Sequence, residues 1–155
     1  CPCLNDPHIE IVLFADDIAI WVTHPNDARN IELFQRAINQ LTSWASSKRL
    51  LFNANKTHIL AFHPDRGRRA KLKLNDIYLY DGRDTLLEWT DSATFLGILF
   101  NSNCSFDTHI QQKLNTCKAR LFNLKRFNRH VDPALLYRVY KVAIEPILLY
   151  GSEVI

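Results

Sequence analysis

The stretch Ile9-Glu10-Ile11-Val12-Leu13-Phe14-Ala15-Asp16-Asp17-Ile18-Ala19-Ile20-Trp21-Val22 decides how the rest of the chain is read. Two runs rich in β-branched and aromatic residues, 9–14 and 18–22, flank Ala15-Asp16-Asp17, a pattern that predicts a β-hairpin. Apolar residues occupy both faces of both strands, so the hairpin is expected in the core, covered on at least one side by helices. The same stretch is the best candidate for a membrane span, and the two aspartates in its middle exclude one, since a span needs about 18 uninterrupted apolar residues.

Outward from the hairpin, Pro25-Asn26-Asp27 reads as a turn that can cap a helix. Ile31, Phe34, Ile38, Leu41 and Ala45 then recur at the spacing of one helical face, predicting a helix over 28–48. From Leu51 to Leu99 the apolar runs shorten to Thr57–Phe62, Leu72–Leu74, Ile77–Tyr80, Leu86–Trp89 and Phe95–Phe100. Turn residues (Pro64, Gly67, Asp81-Gly82, Asp91-Ser92) separate them, so a small antiparallel sheet is expected. Helical spacing returns in Ile110, Leu114, Cys117, Leu121 and Leu124, after a cap at Ser105 or Asp107. A second helix over Leu135–Leu149 is entered through Asp132-Pro133 and should be kinked or ended by Pro146. The order of elements predicts an α+β fold, with residues 1–103 as one subdomain and a helical subdomain over 104–155.

The chain has 155 residues, 47% hydrophobic and 23% charged, the balance of one folded domain. It contains no methionine and begins Cys1-Pro2-Cys3, as expected of a piece of a longer protein. Four cysteines (Cys1, Cys3, Cys104, Cys117) are too few for a disulfide scaffold, and no charged-then-apolar stretch resembling a signal peptide opens the chain. A reducing intracellular compartment is therefore expected, with nucleus and cytoplasm both open. Cys1, Cys3, His58, His63, Cys104 and Cys117 lack the short paired spacing of a zinc site, and Cys117 falls on the apolar face of its helix, where it reads as core.

Asp16 and Asp17 are the chemical anomaly. Two adjacent carboxylates at an apolar hairpin tip would cost several kcal/mol if buried unpaired, so the tip must meet a cation or water. An ordinary turn accounts for them, because Asp is a favoured turn residue. A divalent-cation site accounts for them too, since Mg²⁺ is held by one or two carboxylates together with substrate phosphates.

Phe14-Ala15-Asp16-Asp17 between apolar strands resembles the aromatic-x-Asp-Asp hairpin of reverse transcriptases, and further motifs follow in order. Trp44 and then Leu51-Phe52-Asn53-Ala54-Asn55-Lys56-Thr57, with Phe62 beyond, resemble the next palm motif of reverse transcriptases from non-LTR retrotransposons. Phe95-Leu96-Gly97-Ile98 and Ser105-Phe106-Asp107-Thr108-His109-Ile110 resemble their primer-grip hairpin and the start of their thumb. Pro146-Ile147-Leu148-Leu149-Tyr150-Gly151-Ser152-Glu153 resembles the close of the same region. The resemblance implies part of a right-hand polymerase palm followed by part of a helical thumb. It implies RNA-directed DNA synthesis, with an RNA template, a DNA primer and deoxynucleoside triphosphates as partners, and two Mg²⁺ ions (or Mn²⁺) in the complete site. Asp16 would bind metal and Asp17 would support the pair. The fingers and the earlier palm strand, with its further aspartate, would lie upstream of Cys1, so the 155 residues alone are expected to be inactive.

Lys56 stands where the resemblance implies a lysine that protonates or neutralises the departing pyrophosphate; a solvated lysine at a strand edge is the competing reading. Phe95, Leu96 and Gly97 would form the primer grip, with Gly97 allowing close approach of a nucleic-acid strand; the competing reading is a core strand with a glycine bulge, which for Phe95 and Leu96 is expected to hold as well. Arg66, Arg68, Arg69, Lys71 and Lys73 cluster in a segment read as loop leading into strand. Lys113, Lys118, Arg120, Lys125, Arg126 and Arg129 lie on or after the first carboxy-terminal helix, where Asp107 is the only acid. One-sign clustering favours a phosphate-binding surface over an ordinary solvated face. Two other functions remain open: a degenerate copy that only binds nucleic acid, and a small metal-dependent phosphohydrolase built on Asp16 and Asp17.

Overall fold

In the computed structural model, residues 6–126 and 131–154 are described; the readings at Cys1, Cys3 and Arg129 fall outside them. β1 (Ile9–Phe14) and β2 (Asp17–Val22) pair antiparallel from Ile9 opposite Val22 to Phe14 opposite Asp17, leaving Ala15 and Asp16 as a two-residue loop. Asn26 caps α1 (Asp27–Ser47), its side-chain oxygen accepting from the Arg29 amide at 3.2 Å.

Helix α1 serves two cores. Its Leu33 and Ala37 cover Ile9, with Ile20 and Val22 packed alongside. Its Ile38, flanked by Ile31 and Phe34, joins Ala54, Ile59, Ile77, Leu79 and Leu87. A helix wedged between two partners needs a wider apolar arc than a single stripe. The expected face is therefore present but incomplete, because Leu33 and Ala37 lie beside it.

The hairpin is not the covered core element expected from its composition. Only its base meets α1; Val12, Leu13, Phe14 and Trp21 are exposed, Phe14 at 61%. Among the described residues no third strand or second helix lies over the tip, so the outward side chains have no partner.

The middle of the chain also departs from one antiparallel sheet. β3 (Ile59–Leu60) pairs in parallel with β6 (Trp89–Thr90). β4 (Tyr78–Tyr80) pairs antiparallel with β5 (Asp84–Leu86), and β7 (Ser92–Phe95) with β8 (Ile98–Asn101). A parallel pair needs a long crossover, which α2 (Arg66–Leu72) and the β4–β5 hairpin supply here. The run Leu72–Leu74, expected as strand, is the end of α2 and the residues just beyond it. Asp65 caps this helix by accepting from the Gly67 amide at 2.8 Å, and Arg, Ala, Lys and Leu are good helix formers.

α3 (Asp107–Arg126), α4 (Pro133–Ala143) and α5 (Glu145–Leu149) close the chain. The Asp132 side chain accepts from the Ala134 amide at 3.0 Å at the start of α4. The helix breaks at Ile144, two residues before Pro146, which sits in the first turn of α5, as a proline without an N–H requires. Cys117 is buried, as expected, but the buried face of α3 runs through His109 and Cys117, and Ile110, Leu114 and Leu121 are exposed. The elements packed on α3 are β8, α4 and α5, which leave the outer part of its apolar stripe uncovered among the described residues. The architecture is α+β, and no helix among the described residues is long and apolar enough to cross a membrane.

Candidate functional site

Two tight hairpin turns carry the residues singled out in the sequence. At the first, the Phe14–Asp17 pair closes the loop and Ala15 adopts φ +52, a left-handed conformation that a residue with a Cβ rarely takes. Asp16 forms the apex and Asp17 begins β2; both are exposed. Neither makes an ion pair or side-chain hydrogen bond among the described residues. Water therefore resolves the cost of placing two carboxylates side by side, which leaves their oxygens available to a ligand.

Two hard oxygen donors fit part of a Mg²⁺ ligand set. Among the described residues no group of three His, Cys, Asp or Glu side chains converges, at the hairpin tip or elsewhere. Lys56 lies on the 3₁₀ turn Ala54–Lys56, held by Asn53, whose side chain accepts from the Asn55 amide at 3.0 Å. Buried Ala54 anchors this turn in the α1 core while Lys56 is exposed. No hydrogen bond or ion pair joins Lys56 to Asp16 or Asp17 among the described residues.

The second turn is Leu96–Gly97, between Phe95 and Ile98. Leu96 has φ +48 and Gly97 φ +75, the pair of positive values of a type I′ turn. The Tyr150 hydroxyl donates to the Leu96 carbonyl oxygen, and a Cβ at Gly97 would lie 3.2 Å from the Tyr150 ring. The Lys113 ammonium sits 5.2 Å from the centre of that ring. The structure thus brings together residues from three separate motifs: Leu96–Gly97, the α3 cluster and the carboxy-terminal tyrosine.

The basic residues divide by what they already hold. Arg68 grips both oxygens of Asp27, at 2.6 Å through one nitrogen and 3.0 and 3.1 Å through another. That guanidinium holds the Asp27 carboxyl below the usual carboxylate range. Arg69 donates to the carbonyls of His63 and Pro64, and Lys73 pairs with Asp91, lowering its pKa. Arg66 and Lys71 are exposed on α2, a helix and not the expected loop-to-strand segment. On α3, Arg120 donates to the Ala143 carbonyl at 2.6 Å, while Lys118, Lys125 and Arg126 are exposed. Lys113, Arg120, Pro146, Ile147 and Tyr150 line an open groove of about 400 Å³ between α3 and the α4–α5 bend.

Sequence reasoning assigned no role to Tyr150 or His109. His109 is 2% exposed and accepts the Leu99 amide at Nδ1, 3.1 Å away, joining α3 to β8. Its position eight residues before Cys117, on the same helical face, was the available signal. Comparison of the chain with protein-family models, with curated proteins and with solved structures finds no match.

Proposed function

We propose that the chain is the later part of the palm, with the start of the thumb, of an RNA-directed DNA polymerase of the non-LTR retrotransposon kind. The observation that carries this reading is the exposed Asp16–Asp17 pair, at a tight hairpin tip, without a protein counter-ion among the described residues. A left-handed alanine beside two unneutralised carboxylates is the sort of local strain found at functional sites.

On this reading Asp16 and Asp17 would hold Mg²⁺, an ion that would supply charge neutralisation at the phosphoryl oxygens of the incoming nucleotide. Lys56 moves a proton toward, or neutralises, the leaving pyrophosphate. The Leu96–Gly97 turn lies along the primer strand, held by Tyr150, against whose ring a side chain in place of Gly97 would press. Arg66, Lys71, Lys118, Lys125 and Arg126 neutralise backbone phosphates, and Arg68 and Arg69 hold α2 in place for them. The remaining carboxylate and the nucleotide-binding fingers belong to the upstream part of such a polymerase.

Paramagnetic Mn²⁺ tests the carrying observation on the 155-residue chain. Millimolar Mn²⁺ should broaden the amide resonances of residues 15–17 first, and Asp16→Asn should remove that selectivity. Uniform broadening, or selectivity unchanged in the variant, overturns the metal assignment and returns the pair to an ordinary turn. In a longer chain with the upstream palm, Asp16→Asn should abolish RNA-templated primer extension, and Lys56→Ala should slow single-turnover incorporation by about 10²–10⁴-fold. Binding of nucleic acid without any extension by that longer chain would favour the non-catalytic alternative.

A further inference from the structure

Leu99 sits opposite Thr94, one position in from the Phe95–Ile98 pair that closes the turn. In an antiparallel hairpin the closing pair exchanges both backbone hydrogen bonds, so the next pair does not and the Leu99 N–H faces away from β7. His109 supplies its acceptor at Nδ1. A backbone amide only donates, so the ring is neutral with its proton on Nε2, and that nitrogen is buried with no partner among the described residues. Three residues away along the hairpin, the Leu96 carbonyl takes the Tyr150 hydroxyl. Two side chains of the helical unit thus hold opposite kinds of backbone group on one hairpin. Lys113, one helical turn beyond His109, lies over the Tyr150 ring and links the two points.

We propose that His109 and Tyr150 are positioning residues that latch the Leu96–Gly97 turn to the helical unit, and that protonation of His109 opens the latch. Protonation puts a hydrogen on Nδ1, and two donors then face each other across the 3.1 Å contact with Leu99. Burial, reinforced by the Lys113 charge, holds the His109 pKa below the ordinary histidine value. Among the described residues Lys113 is the only charge that bears on the ring. β7 and β8 carry no ionisable side chain, and the charged residues of α4 are the cations Arg138 and Lys141. Asp107 at the start of α3 is exposed and accepts from the Ser105 hydroxyl at 2.6 Å, and Glu145 at the start of α5 is paired with Lys141 at 2.7 Å. Because the closed state resists the proton and the opened state takes it, opening gains by up to about tenfold per pH unit below the ordinary histidine value. The latch stands on this geometry; its effect on a primer strand rests on the function proposed above.

Amide exchange on the 155-residue chain, corrected for intrinsic rates, tests it. Leu99 protection should fall steeply between pH 7 and pH 5 while amides in the middle of α1 stay protected. His109→Asn keeps a side-chain acceptor that does not titrate, and should abolish this acid step. Tyr150→Phe should keep the step and lower Ile98 protection by about fivefold, the equivalent of one neutral hydrogen bond. Leu99 protection that is flat with pH in the wild type, or an equal acid step in His109→Asn, overturns the latch. Duplex binding measured alongside separates the two claims. An intact acid step without nucleic-acid binding overturns the primer reading and supports the latch, whereas binding with flat protection does the reverse.

Discussion

The two tight hairpins begin their turns alike and differ in the second loop residue, left-handed at Gly97 but not at Asp16, and in what surrounds the tip. Each has a two-residue loop whose first residue is left-handed despite carrying a side chain, Ala15 at φ +52 and Leu96 at φ +48. The β1–β2 tip projects with exposed Val12, Leu13 and Phe14, and is supported only at its base by Leu33 and Ala37. The β7–β8 tip is gripped by Tyr150 and His109 from another part of the chain. A turn held by tertiary bonds can be placed to within a hydrogen bond, whereas a turn held only by its own ladder offers its groups to whatever arrives. The first arrangement suits a strand that must be positioned, and the second suits a ligand that must be bound.

The largest test of that contrast is Leu33→Ala. Leu33 is buried to 1% exposure beneath the first hairpin, and its truncation should cost about 3–4 kcal/mol in urea unfolding. Amide protection should collapse in β1–β2 and persist in β7–β8. Equal loss in both would mean that the hairpins unfold as one unit.

His109→Ala should cost about 2–3 kcal/mol, since it leaves a cavity and an orphaned Leu99 N–H. Here the protection lost should be that of β8 and the first turns of α3, with the first hairpin untouched. Gly97→Ala should cost about 1–2 kcal/mol, because φ +75 disfavours a Cβ and the Tyr150 ring stands 3.2 Å away. Tyr150→Gly in the same chain should reduce that penalty, which a double-mutant cycle would read directly.

Ala15→Gly should stabilise the protein by about 0.5–1 kcal/mol by relieving the positive φ, a rise of a few degrees in Tm. No change would mean that the unfolded-state entropy gained by glycine offsets the strain relieved. The smallest effect is expected for Asp16→Asn without divalent cation: the side chain is exposed and unpaired among the described residues, so the melting temperature should stay level. A clear fall would make Asp16 a structural turn residue.

Local pattern was enough for the elements whose residues answer to their own neighbours. Hairpin β1–β2 follows from its β-branched runs, α1 from its cap and repeat, the break before α5 from Pro146, and buried Cys117 from its place on the helix. The cost of burying two aspartates unpaired left a cation or water at the tip, and the fold leaves them to water. What no local pattern contains is which apolar face finds a partner. The first hairpin reads as core because its composition is apolar, yet only packing against α1 determines that its base is covered and its tip is open. Ile59–Leu60 cannot reveal a parallel partner thirty residues later in Trp89–Thr90, because that pairing depends on the crossover between them. The fates of the basic residues are equally remote in sequence. Arg68 is committed to Asp27 and Arg120 to Ala143, whereas Lys118 and Arg66 stay in solvent. Charge is a property of a residue, but its availability to a phosphate is a property of the fold that surrounds it.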